Sequence, residues 1–371
     1  MNRAFLALTV SAFAAAACGD RTGSASAEAA TGGTPLASTL EIDAGQPFPD
    51  VDAEVHLRNV RQLTFDGENA EGYFSFDGTR LVYQRTTPEG GCDQIHSLDL
   101  ATGGTRLVST GEGRTTCSYY YPDGRRILFS STHHHDAACP ARPDYSRGYV
   151  WPVYATFDIF VAGAEGRELL QLTDTPGYDA EATFSPRGDR IVFTSMRSGD
   201  LDIWTMAPDG TDLRQVTSRV GYDGGAFFSP DGSKIVWRAH YPRTEEESKD
   251  YQALLADGLI RPSTLEIWIA DAAGGNARQL THNGAANFGP FWHPSGEKVL
   301  FASNVDDPTG RDFDIYMVGV DGTGLERVTF TGDFDGFPVF SPDGRFLVWG
   351  SNRNPAHEGN TNLFIAEWVE G

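Results

Sequence analysis

The chain has 371 residues, with 29 Lys and Arg against 51 Asp and Glu, for a formal net charge of −22. A body this acidic repels nucleic acid and anionic membrane surfaces, which disfavours both as partners and leaves basic ones open. A mean hydropathy of −0.34 describes a soluble globular bulk, and an all-β chain of this length can still form one domain.

The N-terminus stands apart. Met1 to Arg3 carries one positive side chain, residues 4–17 are apolar or small, and Ala15-Ala16-Ala17 leads into Cys18. A charged start, an apolar run and small residues at a cleavage point read as a secretory signal over residues 1–17, and the run is too short to span a bilayer. The Cys after small residues resembles a bacterial lipobox, which implies that Cys18 is lipidated and becomes the mature N-terminus. Gly19 follows it, so the Asp associated with inner-membrane retention is missing and the outer membrane is the preferred address. Residues 18–58 are expected to be a flexible tether, because up to about residue 50 they are rich in Gly, Ala, Ser and Thr and have little apolar surface to bury. The membrane is then touched only through the lipid.

From residue 59 one unit recurs. A turn reads Phe74-Ser75-Phe76-Asp77-Gly78, Tyr121-Pro122-Asp123-Gly124, Phe184-Ser185-Pro186-Arg187-Gly188, Phe228-Ser229-Pro230-Asp231-Gly232, Trp292-His293-Pro294-Ser295-Gly296 and Phe340-Ser341-Pro342-Asp343-Gly344. The closing glycines are 46, 64, 44, 64 and 48 residues apart, which makes six copies, two with insertions. Each turn precedes a β-rich run such as Ile191-Val192-Phe193 or Leu347-Val348-Trp349. A further strand follows, such as Asp202-Ile203-Trp204 or Asp314-Ile315-Tyr316, and then an outer one ending in Gln171-Leu172-Thr173 or Gln279-Leu280-Thr281. Four strands per unit match a propeller blade. One such ending, Gln62-Leu63-Thr64, comes before any innermost strand, and none follows Asn362 to Trp368. The fold expected is therefore an all-β, six-bladed propeller over residues 59–371, closed by an N-terminal strand at Arg61 to Thr64 that completes the sixth blade.

These strings resemble TolB-type propeller repeats, also called PD40 or WD40-like repeats, over roughly residues 59–369. The resemblance implies a propeller scaffold in the bacterial cell envelope, facing the periplasm. Residues 19–58 are too short for the separate α/β domain that precedes the propeller in TolB itself.

Function is sought at the rim where the chain approaches the innermost strands. Asp179, Asp223 and Asp335 hold comparable places there, with Asn287 as a neutral counterpart and Glu181 and Glu71 close by. They suggest an acidic ring at the channel mouth for a cation or a basic partner, although an Asp at a strand start also caps its own turn. Insertions at about 131–157 and 238–264 fall on the same rim. They contribute Trp151, Tyr154 and Tyr241, and Tyr251, Leu254, Leu255 and Leu259 recur at helical spacing within 245–260. His133, His134 and His240 are candidate ligands for a divalent metal, alongside the reading in which they are merely solvated. With Cys18 lipidated, Cys92, Cys117 and Cys139 remain, and a disulfide joins Cys92 to Cys117 or Cys117 to Cys139. Nucleophile elbow, zinc-helix and phosphate-loop motifs are missing, and a fused peptidase domain is not expected beyond the propeller. The function expected is a monomeric, non-enzymatic scaffold that binds an envelope protein or peptide, with no certain cofactor. The alternative is a metal-dependent or glycan-directed site at the channel mouth.

Overall fold

The computed structural model describes residues 40–370, apart from 167–168 and 309. The expected signal segment 1–17, Cys18 and the tether up to residue 39 lie outside the described residues.

Six antiparallel sheets form six blades, with four strands in chain order in each of blades 1 to 5. Blade 1 contains Glu68–Phe74, Arg80–Thr86, Gln94–Asp99 and Thr105–Leu107. The innermost strands of blades 2 to 6 are Thr115–Tyr120, Asp179–Phe184, Tyr222–Phe228, Asn287–Trp292 and Asp335–Phe340, and neighbours touch around the ring. The second strands are buried on both faces, which is why they read as continuous apolar runs. Trp237, Trp349, Tyr83, Phe129, Phe193 and Phe301 are all fully buried there.

The repeated turn is held by its own side chains. Ser229 donates to Asp231 at 2.6 Å and accepts the Lys234 N–H at 2.9 Å, and Gly232 supplies the left-handed φ of 74° that ends the turn. Where Arg187 replaces the Asp, Asp189 takes the Ser185 hydroxyl instead, at 2.6 Å. The Thr that closes an outer strand accepts an N–H from the third strand, as Thr217 of Gln215-Val216-Thr217 does from Ile203 at 2.8 Å and Thr329 of Arg327-Val328-Thr329 from Ile315 at 2.8 Å.

Thr64 accepts the N–H of Leu363 in the same way at 2.9 Å, across 299 positions of sequence. The strand Leu57–Gln62 lies antiparallel to Asn362–Trp368 with Gln62 opposite Phe364, so the N-terminal strand completes blade 6 and closes the ring. The body also reaches further back than residue 59. Gln46 pairs with Gln62, and Arg61 donates to the carbonyls of Asp43, Ala44 and Gly45. Asp50 caps the N–H groups of Asn59 and Val60, and Glu54 is fully buried against Arg353. The seam therefore includes residues that composition alone reads as tether, because their few polar groups find specific partners on blade 6.

Candidate functional site

The acids expected to ring the mouth are inside the protein. Asp179, Asp223, Asn287 and Asp335 are at most 1% exposed. Arg197 donates to both Asp179 oxygens, at 2.9 and 3.1 Å. Asp223 accepts the Trp237 indole at 2.6 Å and the Tyr241 hydroxyl at 2.5 Å, and Asp335 accepts the Trp349 indole and Arg353. Asn287 donates to the Leu265 carbonyl and to Asn283. The backbone explains the burial. In every blade the N–H at this position donates to a carbonyl of the preceding blade, from Asn69 to Thr361, Thr115 to Asp93, Asp179 to Phe157, Asp223 to Leu201, Asn287 to Leu265 and Asp335 to Phe313, at 2.6 to 3.1 Å. These residues latch one blade to the next, so they cannot face a partner. Tyr241 belongs to the same latch. Burial pushes Asp223 up to about 7 and Asp158 up to about 6, and the neighbouring carboxylates Asp202 and Asp179 add to it.

The mouth is lined by residues two positions further on. Each innermost strand bulges there, and the bulged residues have a left-handed φ of 44° to 62°: Glu71, Cys117, Glu181, Gly225, Gly289 and Phe337. The sequence expectation put Glu181 and Glu71 beside the Asp residues of the mouth, and it missed Cys117 and Arg238 as channel residues. The i+2 spacing from the latch residue was the available signal. Strand alternation places the next inward layer two residues on, where Tyr73, Tyr119, Phe227 and Phe291 pack edge-on or tilted at 5.1 to 5.9 Å. The channel is thus a polar well above an aromatic floor. Arg238, from the second strand of blade 4 (Lys234–His240), fills the space left by Gly225, where a Cβ would overlap its guanidinium. It pairs with Glu181, which also accepts the Thr194 hydroxyl at 2.7 Å and the Gly225 N–H at 2.8 Å.

The two insertions meet over blade 3. Trp151 and Pro152 pair with Ile260 and Leu259 in a two-stranded ribbon, and Val150, Leu254 and Leu259 form a small core of their own. The helix Glu245–Ala256 is capped by Thr244 and buries Tyr251 and Leu254, as their spacing predicts. It stops short of 260 because Gly258, at a φ of 69°, turns the chain into the ribbon. Arg147 pairs with Asp257 at 2.6 Å, and Tyr251 bonds Asp200 of blade 3. Beneath this bridge Trp151, Tyr178, Tyr222, Phe288, Phe334 and Phe337 cluster over the well. Tyr154 anchors the first insertion by donating to Ala141 at 2.9 Å. Tyr145 and Tyr149, which sequence reading passed over as binding residues, are the large apolar side chains the bridge leaves exposed, at 56% and 58%.

The metal candidates do not converge. His133 bonds Ser131, His134 bonds Gln171, and His240 sits two blades away on Thr264. No three metal-ligating side chains come together among the described residues. Cys92 is joined to Cys139, with Cα atoms 5.6 Å apart, and Cys117 is free. Neither expected pairing forms, because the bulge turns Cys117 into the well, away from the loops that carry the other two.

Fold and repeats together define a six-bladed β-propeller domain, and its repeated strings are similar to PD40 repeats. Residues 154–257 match the family described as TolB beta propeller domain. The chain is 25% identical over 250 residues to the uncharacterized peptidase YuxL of Bacillus subtilis, covering 65% of this chain and 31% of that one, so it spans about a third of that relative. Among solved structures it is similar to a TolB-like protein of Agrobacterium tumefaciens, with a TM-score of 0.55, 19% identity, and 82% of this chain and 91% of that one covered. It is also similar to TolB of Acinetobacter baumannii, with a TM-score of 0.52, 19% identity, and 72% and 56% covered. At these identities the structural likeness speaks for the fold.

Proposed function

We propose that this chain is a non-enzymatic binding scaffold of the bacterial cell envelope, lipid-anchored through Cys18, that engages a partner protein through the bridged rim. The observation that carries the reading is the bridge itself. Insertions from two separate blades pair with each other and hold Tyr145 and Tyr149 out to solvent, beside the half-buried Trp151 and Tyr154. Tyrosine and tryptophan on a fixed support supply contact area at low entropic cost, as interface centres do. The net charge of −22 favours a basic partner. The TolB-type repeats support an envelope setting, and the lipobox-like Ala15 to Cys18 supports the anchor.

The experiment is capture from crosslinked envelopes with the mature protein as bait. Replacing Tyr145 and Tyr149 together by Ala should abolish recovery of the captured species at an unchanged melting temperature. Leu213→Ala on the outer flank should leave it intact. Equal recovery by both variants would remove the rim. Cys18→Ser should shift the protein out of the membrane fraction, and continued membrane association would remove the anchor.

A further inference from the structure

Charge in the well is unevenly matched. On the side of blades 3 and 4, Arg238 answers Glu181, and its guanidinium lies 5.5 Å from the Trp151 ring and 5.6 Å from the Tyr222 ring. The Tyr222 hydroxyl accepts the Arg238 Nε–H at 3.0 Å. A carboxylate, two aromatic faces and shelter from bulk water are what holds a planar cation. At the same level on blade 1, Glu71 supplies a carboxylate, and no cation pairs with it among the described residues. Its polar contacts are the Tyr73 hydroxyl, at a long 3.4 Å, and the Cys117 thiol. The bulge aims this side chain at the axis through a left-handed φ of 55°, a conformation that costs a non-glycine residue about 1 kcal/mol or more. Glu71, Cys117 and Phe337 are half-buried, so each keeps part of its surface open within the well.

We propose that the well is a seat for one organic cation, a guanidinium or primary ammonium group, held by the Glu71 carboxylate with the aromatic side chains of the well around it. The proposal rests on the rim reading only for where the cation comes from. A basic side chain of a docked partner and a free small cation present the same group.

Burial holds Glu71 at about 7, where Cys117 and Arg238 act to lower it and Glu181 and Asp93 to raise it. Tyr73 and Cys117 are the other titratable groups facing it, and burial pushes both up, so they stay neutral. A cation placed beside Glu71 favours the charged form. Binding near pH 7 therefore expels a proton from Glu71, and affinity rises from pH 6 to pH 8.

The test is titration calorimetry on the whole mature protein with N-acetylargininamide, its neutral isostere N-acetylcitrullinamide, and a peptide with one Arg among glycines. The arginine probe is expected to bind at least tenfold more tightly than the citrulline one, with a heat that depends on the buffer because a proton is released. Glu71→Gln should weaken binding at least tenfold and remove the buffer dependence at an unchanged melting temperature. Tighter binding of the peptide assigns the seat to a partner's side chain, and tighter or equal binding of the free amide assigns it to a small cation. Citrulline binding as well as arginine, or no binding of either arginine probe at millimolar concentration, overturns the proposal. If Glu71→Gln does not fold, the citrulline and buffer comparisons on the wild type decide. Replacing Tyr145 and Tyr149 should leave probe binding unchanged, so the seat and the rim fail separately.

Discussion

Replacing Arg353 by Met should cost this protein about 3–5 kcal/mol, the toll of stranding buried charge. Arg353 is 1% exposed at its side chain and donates to Glu54 at 3.0 and 3.2 Å and to both oxygens of Asp335 at 3.1 Å, with both carboxylates fully buried. Its guanidinium lies 4.9 Å from the Trp349 ring. Met keeps the stem and its packing, so the loss isolates the charge: two carboxylates remain out of water with no cation. Unfolding entropy of about 2.1 cal/mol/K per residue over roughly 330 residues is about 0.7 kcal/mol/K, so the melting temperature should fall by about 4–7 °C. Acid should soften the loss by neutralising the stranded carboxylates, so the deficit at about pH 5 should be smaller than at about pH 8. Thermal melts followed by circular dichroism read both effects. Glu54→Gln combined with Arg353→Met should cost less than the sum of the two, because the groups share one cluster. A melting temperature within about 1 °C of wild type, or strict additivity, would refute the idea that this clasp ties the N-terminal segment to blade 6.

Acid should also stabilise the wild type. Burial raises Asp158 to about 6 and Asp223 and Asp314 to about 7, whereas unfolded carboxyls titrate near 4. The folded state then keeps protons that the unfolded chain has lost, so stability falls as pH climbs from about 4 through about 7. Melting should be later at pH 5.5 than at pH 8, and the reverse order would contradict the buried latch. Thr64→Val should cost about 1–2 kcal/mol by orphaning the buried Leu363 N–H, and Thr329→Val a similar amount at the Ile315 N–H. Unequal losses in denaturant melts would mark the closing junction as different in kind. Peptide mapping without reductant should find Cys92 joined to Cys139 and Cys117 unmodified, and a Cys92–Cys117 peptide would refute the placement of Cys117 in the well.

What could be read from the chain alone was local and periodic. The Ser-Pro-Asp-Gly turns, the alternating apolar strands and the Gln-Leu-Thr endings repeat because each blade solves the same short-range problem. Counting the endings assigns Gln62-Leu63-Thr64 to blade 6, since a strand ending without its blade has to join one elsewhere. The helix in the second insertion was legible for the same reason, with Tyr251 and Leu254 on one face. Which way a side chain points across the ring was not. A bulge shifts the phase of strand alternation within the innermost strand, turning Glu71 and Cys117 to the axis, while Asp179, Asp223 and Asp335 stay between blades. The partners that fix Glu181, Arg353 and Cys92 lie far along the chain: Arg238 for Glu181, 57 residues apart, Glu54 for Arg353, 299 apart, and Cys139 for Cys92, 47 apart. Such pairings are set by the angle at which one twisted sheet packs on the next, a quantity that no window of sequence contains.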